Sequence, residues 1–178
     1  MKVSKREIVT IFIFVMFILV ESISLATYQT TVLETQQKNK VVEYMVKQEA
    51  KLTQEEQKTL NLINEYRQQN GLSELRTFEK IQDIAQLKAK DIVQHEYFSH
   101  ISPNLGTPFE MLKNNNINYT IAGENLAGNI TPEKAVEAWI NSPSHKENIL
   151  GEKYKYTGIC VIESPVYGKV FVQLFIGI

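Results

Sequence analysis

Thr131-Pro-Glu-Lys-Ala-Val-Glu-Ala-Trp-Ile-Asn-Ser-Pro-Ser-His-Lys-Glu-Asn-Ile-Leu-Gly151 is the stretch from which the fold can be read outward. A threonine followed by proline opens a helix, because proline at the first helical position lacks only an N–H that would have no partner there. Ala135, Val136, Trp139 and Ile140 then form a core-facing stripe. Ser144-His-Lys-Glu147 has the capping-box pattern, which predicts a second, short helix that Gly151 ends. His145 would be its first helical residue, where the positive helix end disfavours protonation and keeps the imidazole neutral.

Downstream, Thr157 to Glu163 and Lys169 to Ile176 are β-rich runs separated by Ser164-Pro-Val-Tyr-Gly168, which predicts a terminal hairpin. Cys160 lies in the first run and reads as a small buried strand residue. Upstream, Thr53-Gln-Glu-Glu56 is a capping box that opens a helix with a stripe at Leu60, Ile63 and Tyr66, closed by Asn70-Gly71. Ile81, Ile84, Ala85 and Ile92 mark another helix from about Phe78 to Gln94, and Thr107-Pro108 starts a further one. A strand is read from Tyr119 to Leu126. Helices with a late antiparallel sheet make the class α+β, helix layered on sheet.

The N-terminus reads Met1-Lys-Val-Ser-Lys-Arg-Glu7, then a largely apolar run from Ile8 to Val20. This layout fits a signal peptide over residues 1–26, cut after Ala26, or an uncleaved anchor. Both place the rest of the chain outside the cytoplasm, secreted in the first case and held at the membrane in the second. Residues 27–52, without Gly or Pro, read as a polar spacer with helical spacing at Val41, Val42, Met45 and Val46, and residues 53–178 as the globular domain. The chain of 178 residues carries one cysteine and a formal net charge of −1. No internal disulfide can form, so the domain must be held by its own core. No cationic block is present, which argues against nucleic acid as a partner.

Three histidines are candidates for chemistry. His95 reads as a helix-end residue and is set aside. His100 ends Glu96-Tyr-Phe-Ser-His100, and with His145 it either shares a site or simply lies in a loop region. Glu110 sits in Thr107-Pro-Phe-Glu110, a capping box that gives its carboxylate a structural role. Glu124, in Ala122-Gly-Glu-Asn125, is either a solvated turn residue, which its local sequence favours, or a placed one.

Tyr97-Phe-Ser-His100, Gly123-Glu-Asn125, Trp139-Ile-Asn-Ser-Pro-Ser-His-Lys-Glu-Asn-Ile-Leu150 and Phe171-Val-Gln-Leu-Phe175 occur in this order. Together they resemble the CAP superfamily, or SCP-like domains, in its bacterial, disulfide-poor extracellular branch, over roughly residues 55–178. The resemblance implies a three-layer α-β-α sandwich with a central antiparallel sheet. It also implies a cleft lined by His100, Glu110, Glu124 and His145. The cysteine-rich tail of eukaryotic members is absent, so functions attached to it are not carried over, and no sterol-contacting loop can be located.

Two imidazoles and two carboxylates could hold a divalent metal, Zn²⁺ first, or act as an acid–base network; no organic cofactor is implied. The first expectation is a surface or secreted binding module for an extracellular peptide, glycan or lipid, touching membrane only through the N-terminal segment. The alternatives are a hydrolase of extracellular peptides or wall polymer, for which no nucleophile stands out, and a purely structural His/Glu network.

Overall fold

The computed structural model describes residues 24–25, 27–38, 40 and 50–178. The apolar run from Ile8 to Val20, the cut after Ala26 and the Val41–Val46 spacing lie outside the described residues. Among the described residues no helix is long and apolar enough to cross a membrane. The chain forms two compact units, Met1–Lys47 and Gln48–Ile178. The described part of the first is helical.

In the second unit, α1 (Gln54–Gln69) starts at the Thr53 capping box and ends at Asn70, with Gly71 in the left-handed region at φ 74°. Strand β1 (Arg76–Thr77) comes next, then α2 (Glu79–Gln94) and α3 (Pro108–Asn114), the last opened by the Thr107 capping box. β2 (Ile121–Asn129) leads to α4 (Pro132–Asn141) and α5 (Pro143–Ile149); β3 (Tyr156–Ser164) and β4 (Gly168–Gly177) form the terminal hairpin.

Three features differ from the sequence reading. The short helix is capped at Ser142 rather than Ser144: Pro143 takes the first position, so His145 is the third helical residue, and no side chain caps the end. The proline explains this, since its fixed φ begins the turn one step before the Ser144 pattern can. Glu124 lies inside β2, in keeping with the strand read over Tyr119–Leu126 and against the turn its local sequence favours, and Gly123 permits close packing rather than chain reversal. Finally, β1 joins the sheet parallel to β3, two residues too short to show any alternation.

The strand order is β1-β3-β4-β2, with the three long strands antiparallel and β2 at one end. One face carries Ala127, Ile159, Val161, Phe171 and Phe175 against Leu60 and Ile63 of α1, Ala135, Val136 and Trp139 of α4, and Ile149 of α5. The Trp139 indole N–H donates to Leu126 O at 2.9 Å, tying α4 to β2; truncating a tryptophan this buried costs about 3–5 kcal/mol. The opposite face packs on α2, whose backbone at Ile81 comes so close to Gly158 that a β-carbon would lie 2.4 Å from it. The result is a sheet between two helical layers.

Beyond β1, the outer edge of β3 is covered by side chains. Gln82 of α2 accepts from Ile159 N–H at 2.8 Å and donates to the same residue's carbonyl, and Glu56 accepts from Val161 N–H at 3.3 Å. An edge closed in this way offers no template for another strand. Cys160 is buried within β3, and burial pushes its thiol up to about 12, far from a reactive thiolate.

Candidate functional site

The site forms at the β2 end of the sheet, where segments from both helical layers meet. Three consecutive residues of β2 divide the work. At Gly123 a β-carbon would sit 2.7 Å from the Tyr154 hydroxyl and 2.8 Å from Asn148 Oδ1, so only glycine admits α5 this near. Asn125, on the α5 side, donates to His145 O at 3.0 Å and accepts from Asn148 Nδ2 at 2.9 Å. Asn148 also donates to Glu124 O at 3.2 Å. The strand and the helix bearing His145 are thereby locked in register.

Glu124 lies between them in sequence and pairs instead with the loop after α2. His100 Nδ1 is 2.7 Å from Glu124 Oε1, the imidazole half exposed and the carboxylate side chain 2% exposed. Glu124 Oε2 is buried without a hydrogen-bond partner. Burial raises the Glu124 carboxyl above its usual range, while the bond from His100 and the charges of Lys88 and His100 pull it back. The His100 and His145 rings stand 6.4 Å apart between centroids, tilted by 48°. Burial, and then the proximity of His100, lowers the His145 value, which favours the neutral imidazole.

His100 is delivered by an irregular loop. Glu96 adopts φ 52° and Tyr97 N–H returns to Ile92 O at 3.3 Å, ending α2. Two residues of α2, one turn apart, hold this loop. The fully buried Lys88 ammonium donates to Ser99 O at 2.8 Å, His100 O at 3.0 Å and the Tyr97 hydroxyl at 3.2 Å. Asp91 accepts from Tyr97 and Ser102 hydroxyls at 2.5 Å each and from Asn104 Nδ2 at 2.9 Å. His95, at the helix end, lies 3.0 Å from Asp91 Oδ1 and faces this network rather than the cleft.

Thus the structure brings His100, Glu124 and His145 together. Glu110 is exposed and serves the α3 cap, its Oε2 accepting from Thr107 N–H at 2.7 Å and Thr107 Oγ1 at 2.9 Å. Those bonds hold its carboxyl below the usual range. Gly106 leaves room for this carboxylate, which a β-carbon would meet at 2.5 Å. Among the described residues no three His, Cys, Asp or Glu side chains converge as a metal-ligand group. The serines beside the histidines are otherwise engaged: Ser99 Oγ accepts from Ile101 N–H at 3.2 Å, and the Ser142 and Ser144 hydroxyls face each other at 3.5 Å.

Sequence reasoning missed Lys88, Asp91 and Arg67. The last is a buried guanidinium that donates to Ser73, Ile149, Gly151 and Tyr154 carbonyls at 2.6–3.5 Å. The available signal was positional. Lys88 lies on the buried stripe of Ile81, Ile84 and Ala85, and Arg67 on that of Leu60 and Ile63.

A sheet between two helical layers, with one imidazole from each layer meeting beside a buried acid at the end strand, defines an α-β-α sandwich domain. The chain belongs to the CAP family, described as the cysteine-rich secretory protein family, whose model matches residues 60–175. It is 42% identical over 123 residues to YkwD of Bacillus subtilis (strain 168), covering 68% of this chain and 47% of YkwD. The membrane protein YlbC of the same organism is 32% identical over 122 residues, covering 68% of this chain and 35% of YlbC. The chain therefore spans under half the length of these curated relatives.

Two solved structures are also similar. An extracellular protein containing an SCP domain from Bacillus anthracis str. Ames matches with TM-score 0.63 and 30% identity, over 72% of this chain and 45% of that one. An outer surface protein from Borrelia burgdorferi matches with TM-score 0.64 and 26% identity, over 71% and 96% respectively.

Proposed function

We propose that this domain works outside the cytoplasm as a binding module whose His100–His145 cleft receives an extracellular ligand, with a divalent cation held at the two imidazoles. The extracellular and outer-surface proteins it resembles support the location, as does the charged-then-apolar N-terminus. The observation that carries the reading is the His100–Glu124 pair. A carboxylate is buried behind a half-exposed imidazole, and a second imidazole faces it at 6.4 Å.

The donor set fits a cation through the two histidines rather than through four ligands. A metal-binding histidine commonly donates its other ring N–H to a carboxylate, which fixes its tautomer. Glu124 takes that position behind His100 Nδ1, leaving Nε2 for the cleft. His145, kept neutral by burial, offers a second nitrogen. Glu110 remains with Thr107. A bound Zn²⁺ would supply Lewis acidity, with open positions for water and a ligand oxygen.

Calorimetric titration of the purified protein with Zn²⁺ at about pH 7.5 tests this. One saturable site per chain is expected, weaker at about pH 5.5, where imidazoles take up protons. His100→Ala and His145→Ala should each lose at least tenfold in affinity while the fold persists. Absence of Zn²⁺ binding would sink the cation; unfolding of both variants would favour a structural network.

A further inference from the structure

We infer that Lys88 is a positioning residue for His100, setting the imidazole over Glu124 by holding the His100 backbone from beneath. The inference rests on the reading of His100 as a cleft residue. An ammonium group has three N–H donors and no acceptor. Lys88 spends all three on one short segment: Tyr97 Oη, Ser99 O and His100 O. It also lies 5.0 Å from the centroid of the Tyr97 ring.

The need for such a group arises from the backbone. Residues 97–101 belong to no helix or strand, so their carbonyls lack a ladder partner and must be satisfied some other way. Water could serve at the surface, but it would not fix the direction in which His100 leaves the chain. A buried cation on α2 does so, because three acceptors from one short segment converge on a single ammonium carried by a regular helix.

Asp91, one turn along α2, performs a different task. Its bonds go to the side chains of Tyr97, Ser102 and Asn104, and the backbone pair between Ser102 and Gly106 closes the same loop at 2.9 and 3.1 Å. Asp91 thus holds the loop's shape, whereas Lys88 holds the carbonyl of His100 itself. Burial pulls the Lys88 ammonium below its ordinary value, and the charges of Glu124 and Asp91 counter that. The two nearby carboxylates favour the charged form of this buried lysine.

The test reads the tautomer of His100 by ¹⁵N imidazole NMR on the purified protein, without added metal. In the unsubstituted protein Nδ1 should carry the proton bonded to Glu124. Lys88→Met should lose that signature while the His145 and Trp139 ring signals stay in place, and Lys88→Arg should restore it, since a guanidinium can reach both carbonyls. Asp91→Asn should disturb the whole loop and lower stability instead.

A Lys88→Met protein that keeps the His100 tautomer would overturn the inference. Should that variant not fold, exchange of the Lys88 ammonium protons in the unsubstituted protein decides. Slow exchange is expected from three donated protons in a buried site, and bulk-like exchange would equally overturn it. Failure of Zn²⁺ to bind would count against the proposed cation and leave the tautomer result standing.

Discussion

The two histidines reach the cleft on supports of opposite kind. His145 stands on α5, a regular helical turn that fixes its backbone, and its own carbonyl is held by Asn125. The carbonyls at its C-terminal end take outside partners, and Arg67 of α1 donates to those of Ile149 and Gly151. His100 stands on a loop with no ladder, and Lys88 and Asp91 of α2 must reach several of its residues. One buried cation per arm is therefore common to both, but the cation braces a helix end in one and the functional residue itself in the other. Loss of the first should be felt by the whole fold, loss of the second mainly by one imidazole.

The largest effect is expected at Arg67. Arg67→Met would leave the buried carbonyls of Ile149 and Tyr154 without the guanidinium and remove its bonds at Ser73 and Gly151, and an unsatisfied buried group costs about 1–3 kcal/mol. A total loss of about 3 kcal/mol or more should appear in the urea midpoint, with Arg67→Lys recovering only part because one ammonium cannot span the fork. A small loss confined to α5 would erase the contrast between the arms.

Asn125→Ala should come next. It removes the bond to His145 O and one of the two acceptors of Asn148, at a cost of about 2 kcal/mol. The His145 ring should shift in NMR spectra while the His100 tautomer holds. Movement of both rings together would mean that the arms are coupled through β2 rather than independently held.

The helices and the terminal hairpin were legible because each carries a period, a cap or both. Thr53, Thr107 and Thr131 all cap where their patterns predict. The capping pattern failed at Ser144, where Pro143 had already begun the turn. Strand β1 left no trace, since Arg76 and Thr77 acquire their role only by lying beside Tyr156 and Thr157. Within the site, Glu124 looked like a turn residue beside a glycine, because the crowding that requires Gly123 comes from Tyr154 and Asn148, some 25–31 residues away. Lys88 and Arg67 were hidden differently. A cation on an apolar stripe reads as a side chain reaching out to water, and only the fold shows carbonyls waiting for it inside.

A moderate, pH-dependent effect is expected from Asp91. Burial alone would raise its carboxyl, but the bonds from Ser102, Tyr97 and Asn104, with the charge of His95, bring it below the usual range. A depressed carboxyl contributes stability that is complete above the unfolded value of about 3.9 and is lost as pH falls through the folded one. Asp91→Asn should therefore cost about 1–2 kcal/mol near neutrality. The gap from the unsubstituted protein should narrow in thermal melts taken below about pH 4. A constant gap would show that neutral hydrogen bonds, not the charge, hold the His100 loop.

The smallest effect is expected at Glu110, and it decides the membership of the cleft. Glutamine can also close a capping box, so Glu110→Gln removes a carboxylate while keeping a side chain able to accept from Thr107. If the cation is held by the two imidazoles with Glu124 behind, Zn²⁺ affinity should be unchanged within twofold, whereas Glu124→Gln should weaken it at least tenfold. A tenfold loss in the Glu110 variant would mean that this carboxylate leaves Thr107 when the cleft is filled. The His100 arm would then extend through the loop to the start of α3, and the two supports would differ in reach as well as in kind.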